Sequence, residues 1–291
     1  MKVANVLSAS QICFVTDSAV IRLWRTCAGT AAVLGAMLAV SLLAGCASGA
    51  GEQADTRKDI VTESDEPESR KRARIRLELA SGYFSDGKPT IALDEIKQAL
   101  VTDPTFGDAF NLRGLIYMRL NDLRLAEDSF RRAIALNNRD ANAAHNLGSL
   151  LCQQNRFPES LGFYRQALAV PLYGDQAKTL MAQGLCQIAA GQKPDAERSL
   201  ARAYELDATN PIVGYNLAIL LYERADYARA QFYTRRLNNS QYANAETFWL
   251  GIKVERRLND TIALQQLADQ LKRRFPQSNE QASYERGAFN E

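Results

Sequence analysis

The chain holds few residues able to do covalent or proton chemistry. His145 is the only histidine, and one imidazole by itself reads as a packing or groove residue rather than a general base. Carboxylates are plentiful, but every pair falls where helix surfaces and turns account for it. No His, Cys, Asp or Glu cluster has metal-ligand spacing, and no glycine-rich phosphate loop is present. We therefore expect no enzyme activity, no cofactor and no metal. Five cysteines stand at 13, 27, 46, 152 and 186, which is not a disulfide framework. Cys152 and Cys186 lie one structural period apart at different positions within it, so two separate thiols are expected rather than a bond.

Cys46 is different, because its surroundings give it a chemistry. Arg22 and Arg25 precede the uncharged run Ala28–Ala44, which is short for a membrane span and leads straight into small residues. That arrangement reads as a signal peptide over residues 1–45. The twenty residues before the basic pair are an odd extension, so either the signal is long or translation starts further down. The sequence Leu43-Ala44-Gly45-Cys46 resembles a bacterial lipoprotein signal. The resemblance implies cleavage before Cys46 and a diacylglycerol thioether on its sulfur. An ordinary membrane anchor and an incidental cysteine are the alternatives. Each buried methylene of a lipid chain contributes about 0.8 kcal/mol, so two or three chains hold a soluble domain at a bilayer. Ala47 follows the cysteine, and the absence of Asp there implies, by the sorting rules of such lipoproteins, the outer membrane.

Behind Cys46, residues 46–69 read as a polar tether; 47–69 carry seven acidic and two basic residues and little to bury. From Arg70 the composition turns to helix formers, with apolar residues three and four apart. The pattern then repeats with a period near 34, from starts at Ala73, Gly107, Ala141, Ala177, Pro211 and Asn244. The eighth position is small throughout: Ala80, Gly114, Gly148, Gly184, Ala218 and Gly251. So is the twentieth, at Ala92, Ala126, Ser160, Ala196, Ala230 and Ala263. Small residues suit a close crossing of two helices. Turn signals fall mid-unit, as at Asp86-Gly87, Asn121-Asp122 and Asn155-Arg156. Unit three is two residues longer than the period, around Val170-Pro171-Leu172-Tyr173-Gly174, and unit five is one shorter. Unit one is polar at several inner sites, as a solvent-facing cap should be.

This spacing resembles the tetratricopeptide repeat. The resemblance implies an all-α, right-handed superhelix of about six antiparallel helix pairs over residues 70–277, leaving 278–291 as a tail. It also implies that positions 2, 5, 9, 12 and 13 of each unit face a concave groove. Candidate partner-binding residues are then Asp108, Asn111, Met118 and Arg119 in unit two, and Asn142 and His145 in unit three. Met181, Tyr215, Tyr222 and Phe248 follow in units four to six. The last three units are the more apolar, which suits a docked helix or extended peptide. Equally, those residues could pack on one another in a tightly curled superhelix. The Lys and Asn pattern of a carboxylate clamp is absent from the usual sites.

Removing residues 1–45 leaves 32 basic and 32 acidic residues. A neutral chain lacks the long-range field of a general nucleic-acid binder, and no nucleic acid is expected as partner. Lipid-modified cysteine, short tether, six units and little beyond them together resemble the type IV pilus biogenesis lipoproteins of the PilF/PilW family. The segments Asn111-Leu112-Arg113-Gly114, Ala144-His145-Asn146-Leu147-Gly148 and Leu250–Asp260 carry that resemblance. It implies a monomeric, non-catalytic pilotin, ferried by the lipoprotein carrier system to the periplasmic face of the outer membrane. There it would bind secretin subunits of the pilus and favour their assembly, with the first units as the binding surface. A different envelope lipoprotein, scaffolding cell-wall or outer-membrane assembly, is the alternative.

Overall fold

The computed structural model describes residues 65–289, and the signal segment, Cys46 and most of the tether lie outside them. The described residues form thirteen α-helices and no strands. Twelve make six consecutive pairs: α1 (Glu68–Ser85) with α2 (Pro89–Thr102), α3 (Gly107–Arg119) with α4 (Leu123–Leu136), and α5 (Ala141–Gln153) with α6 (Phe157–Leu168). Then come α7 (Gln176–Ala189) with α8 (Lys193–Leu206), α9 (Pro211–Glu223) with α10 (Tyr227–Asn238), and α11 (Ala245–Arg257) with α12 (Thr261–Arg274). A further helix, α13 (Asn279–Glu285), packs on α11 and α12. Among the described residues no helix is long and apolar enough to cross a membrane.

The turn inside each pair is made the same way six times. One residue takes the left-handed conformation: Gly87, Asn121, Asn155, Gly191, Ala225 and Asn259, with φ between 58° and 74°. Glycine and asparagine adopt it most readily, so Ala225 is the one unsuited residue in the series. An acidic residue often follows and caps the second helix. Asp122, Asp226 and Asp260 accept from the N–H groups of Leu125, Arg229 and Ala263. Each such cap is worth about 1 kcal/mol.

Small eighth-position residues are required by one bulky neighbour on the second helix of the same unit. A Cβ added at Gly114 would lie 2.4 Å from the Phe130 ring, and one at Gly184 would lie 2.6 Å from Leu200. At Gly148 the Tyr164 ring stands 3.0 Å away. Phe130 and Leu200 are fully buried, so neither can move without disturbing the core around it. Gly251 differs, since its nearest neighbour would be the Asn238 side-chain amide at 2.6 Å.

Unit one departs from expectation only in part. Several of its inner sites are polar, with Arg76 paired to Glu95 across α1 and α2 and Arg70 paired to the buried Asp103. Ile75, Leu79 and Ile91, however, are 64%, 47% and 45% exposed, so apolar side chains also reach solvent there.

Candidate functional site

The first helices of successive units stack side by side, and one contact recurs along the row. Position twelve of a unit meets position ten of the next. Phe84 and Ile116 share one apolar cluster, Met118 and Leu150 another, and Ile188 and Leu220 a third. At the junction of units three and four the same two positions are Cys152 and Cys186, and they form a disulfide with Cα atoms 5.9 Å apart. This corrects the expectation of two thiols. Unequal repeat positions are what the stacking of neighbouring helices brings together, and the long third unit only lengthens the sequence separation to 34.

Beside the disulfide lies a buried polar cluster. His145 Nδ1 is 2.8 Å from Thr179 Oγ1, which also meets the Tyr173 hydroxyl at 2.9 Å. The Tyr164 hydroxyl donates to Ser149 at 3.2 Å, and the Ser160 hydroxyl donates to the Gly148 carbonyl at 2.7 Å. Burial, aided by the Lys178 ammonium, lowers the His145 pKa to about 4, so the ring is neutral at physiological pH. With 6% exposure His145 is a packing residue and offers a partner almost nothing.

The other unit-two and unit-three candidates stay near the surface. Asp108, Arg119 and Asn142 are exposed, while Asn111 and Met118 are half-buried. The Asn146 amide donates to Asn111 Oδ1 at 2.9 Å, tying units two and three together. Met181 is half-buried and accepts a long contact from the Asn210 amide at 3.5 Å. Asp140, capping α5, has its pKa raised by burial and, less, by the Asp108 carboxylate.

Units five and six are built differently. Here position twelve is Tyr222 and position ten is Lys253, whose ammonium sits 5.7 Å from the Tyr222 ring centre. The apolar seam of the earlier junctions thus ends in a charged group. A cleft of about 480 Å³ opens beside it, lined by Tyr215, Ile219 and Tyr222 from α9, Glu246, Trp249 and Lys253 from α11, and Glu280 from α13. Burial raises the Tyr215 phenol pKa, and the Glu246 and Glu280 carboxylates add to the rise. Tyr222 and Lys253 also border a second cleft of about 410 Å³ with Arg256, Arg257, Asn259 and Phe289.

Phe248, expected in the groove, is fully buried. Its ring packs with Phe275 at 6.1 Å and belongs to a cluster reaching Tyr284 and Phe289. Residues beyond 277 fold back over unit six, so that face of α11 is core. Trp249 and Lys253, which sequence reasoning missed, line the cleft instead. Their one available signal was Glu246, Trp249, Lys253 and Arg257 recurring at helical spacing. Among the described residues no group of three or more His, Cys, Asp or Glu could hold a metal ion.

The family model for the tetratricopeptide repeat matches residues 77–141, 111–177 and 146–211. The type IV pilus assembly protein PilF of Pseudomonas aeruginosa is 26% identical over 209 residues, covering 72% of this chain and 83% of that protein. A solved structure of Pseudomonas aeruginosa PilF has a TM-score of 0.68 at 24% identity, covering 75% of this chain and 99% of that one. The crystal structure of PilW, described as a widely conserved type IV pilus biogenesis factor, has a TM-score of 0.63 at 28% identity. It covers 73% of this chain and 97% of that one.

Proposed function

We propose a function from one premise: this chain is a tetratricopeptide-repeat protein homologous to PilF, with a structure close to those of PilF and PilW. The homology supports a role in type IV pilus biogenesis. Within that role the protein is a non-catalytic scaffold, anchored by lipid on Cys46 to the periplasmic face of the outer membrane. It binds secretin subunits there and raises their local concentration where the ring assembles. Two modest affinities, lipid for bilayer and solenoid for secretin, combine into one strong attachment because the second binding event becomes intramolecular.

The observation that carries this reading is the likeness to PilF and PilW across about three quarters of the chain and nearly the whole of those structures. The architecture agrees physically, since stacked helix pairs present an extended side-chain row suited to a protein partner. A strain carrying Cys46→Ser tests the anchor together with the partner. The solenoid should fold and accumulate away from the outer membrane, with secretin rings reduced several-fold. Secretin rings at normal levels, in that strain and in a deletion strain alike, would contradict the proposal.

A further inference from the structure

The two clefts at units five and six share Tyr222 and Lys253, so they adjoin end to end along α9 and α11, and together they make a trough. Its charges are sorted along its length. At the start of α11, Glu246 and Glu280 face the first cleft, and neither is ion-paired among the described residues. In the middle, Tyr215, Ile219 and Trp249 give an apolar floor. At the far end, Arg256 and Arg257 border the second cleft, and no carboxylate of the described residues pairs with them or with Lys253. These cations rest on aromatic faces instead: Arg256 lies 3.9 Å from the Phe289 ring centre, Arg257 5.9 Å from Tyr227, and Lys253 5.5 Å from Trp249. Arg257 Nε also donates to the Tyr222 hydroxyl at 3.5 Å, and a guanidinium on a ring can still offer its other N–H groups to a carboxylate.

We propose that this trough is a peptide-binding site for an extended segment of a protein partner. The segment carries a basic residue, then one or two large apolar residues, then an acidic residue. The basic side chain meets Glu246 and Glu280, the apolar pair covers Ile219 and Trp249, and the carboxylate is held by Arg256 and Arg257. From residue 246 to 257 a helix rises about 16 Å, which about five extended residues span. A flat anionic bilayer would engage the cations but leave the two glutamates facing phosphate, and its surface cannot enter a trough between two helices. The inference is independent of the pilus reading, because it concerns what the trough accepts and not which protein supplies it.

The full chain with Trp24→Phe has Trp249 as its only indole, so its fluorescence reports on the trough directly. The probe is a capped hexapeptide, Lys-Ala-Leu-Phe-Ala-Glu. It should change the Trp249 emission saturably and bind at least tenfold less tightly when its glutamate is replaced by lysine. Arg257→Glu should weaken the original probe at least tenfold and restore binding of the lysine-ended one. Arg273→Glu, an equal charge change at an exposed site on α12, should do neither. Equal affinity for both probes, no probe binding at all, or an emission change produced only by phosphatidylglycerol vesicles would overturn the proposal.

Discussion

The junction of units three and four and that of units five and six use the same two helix positions for opposite ends. At the first, Cys152 and Cys186 close the seam covalently, beside a largely buried cluster in which burial keeps His145 neutral. At the second, Lys253 reaches over Tyr222 and the seam gives way to a trough with charges at both ends. A repeat fixes where side chains meet, and the residue types then decide whether the meeting place is core or surface. The closed junction is cross-linked, while the open one leaves side chains lining a cleft where another molecule could meet them.

The largest expected difference concerns the disulfide. Closing a loop of this length is worth about 3–4 kcal/mol on the chain-entropy account. A Cys152→Ser/Cys186→Ser protein, or the native one in reductant, should therefore show a markedly lower urea midpoint. A loss of unfolding free energy under about 1 kcal/mol would mean that packing alone holds the closed junction.

The same region should respond to acid. His145 has a folded-state pKa of about 4 against 6.5 unfolded, so the unfolded chain binds its proton first as pH falls. The resulting stabilisation is complete above pH 6.5 and is lost progressively toward pH 4, by on the order of 3 kcal/mol. Urea titrations across that window should show the slope, and His145→Gln should flatten it. An unchanged slope in the variant would assign the effect to other groups.

Two smaller effects separate the regions further. Gly114→Ala must displace the buried Phe130 ring, so it should cost about 1–2 kcal/mol despite alanine's better helix propensity. Gly251→Ala meets mainly the Asn238 amide, which has no hydrogen-bond partner among the described residues, and should cost less. Equal costs by thermal melts would remove this contrast. Last, Lys253→Leu should restore an apolar seam at the open junction and raise stability by about 0.5–1 kcal/mol. It should also weaken the hexapeptide; a gain of neither kind would show that Lys253 does not set the difference.

Much of the fold was legible because the period is written in small residues. Gly114, Gly148 and Gly184 announce a helix crossing wherever a bulky residue lies sixteen positions on, and the asparagines and glycines of the turns mark each reversal. The site was less legible, for two reasons. Same-position comparison hid the Cys152–Cys186 contact, since stacked helices pair position twelve with position ten. The end of the solenoid breaks the repeat rule altogether, because α13 and Phe289 cover a face that a seventh unit would otherwise occupy. That is why Phe248 became core while Trp249 and Lys253 came to line the trough.

The most direct test of the account places a benzophenone photo-crosslinker in living cells, either at Ile219 in the trough or at Gln153, exposed beside the closed junction. Irradiation should give a protein adduct from Ile219 that disappears with Arg257→Glu, and much less from Gln153. Adducts of equal yield at both positions, or adducts from Ile219 that survive Arg257→Glu, would contradict the claim that the open junction is where this solenoid receives its partner.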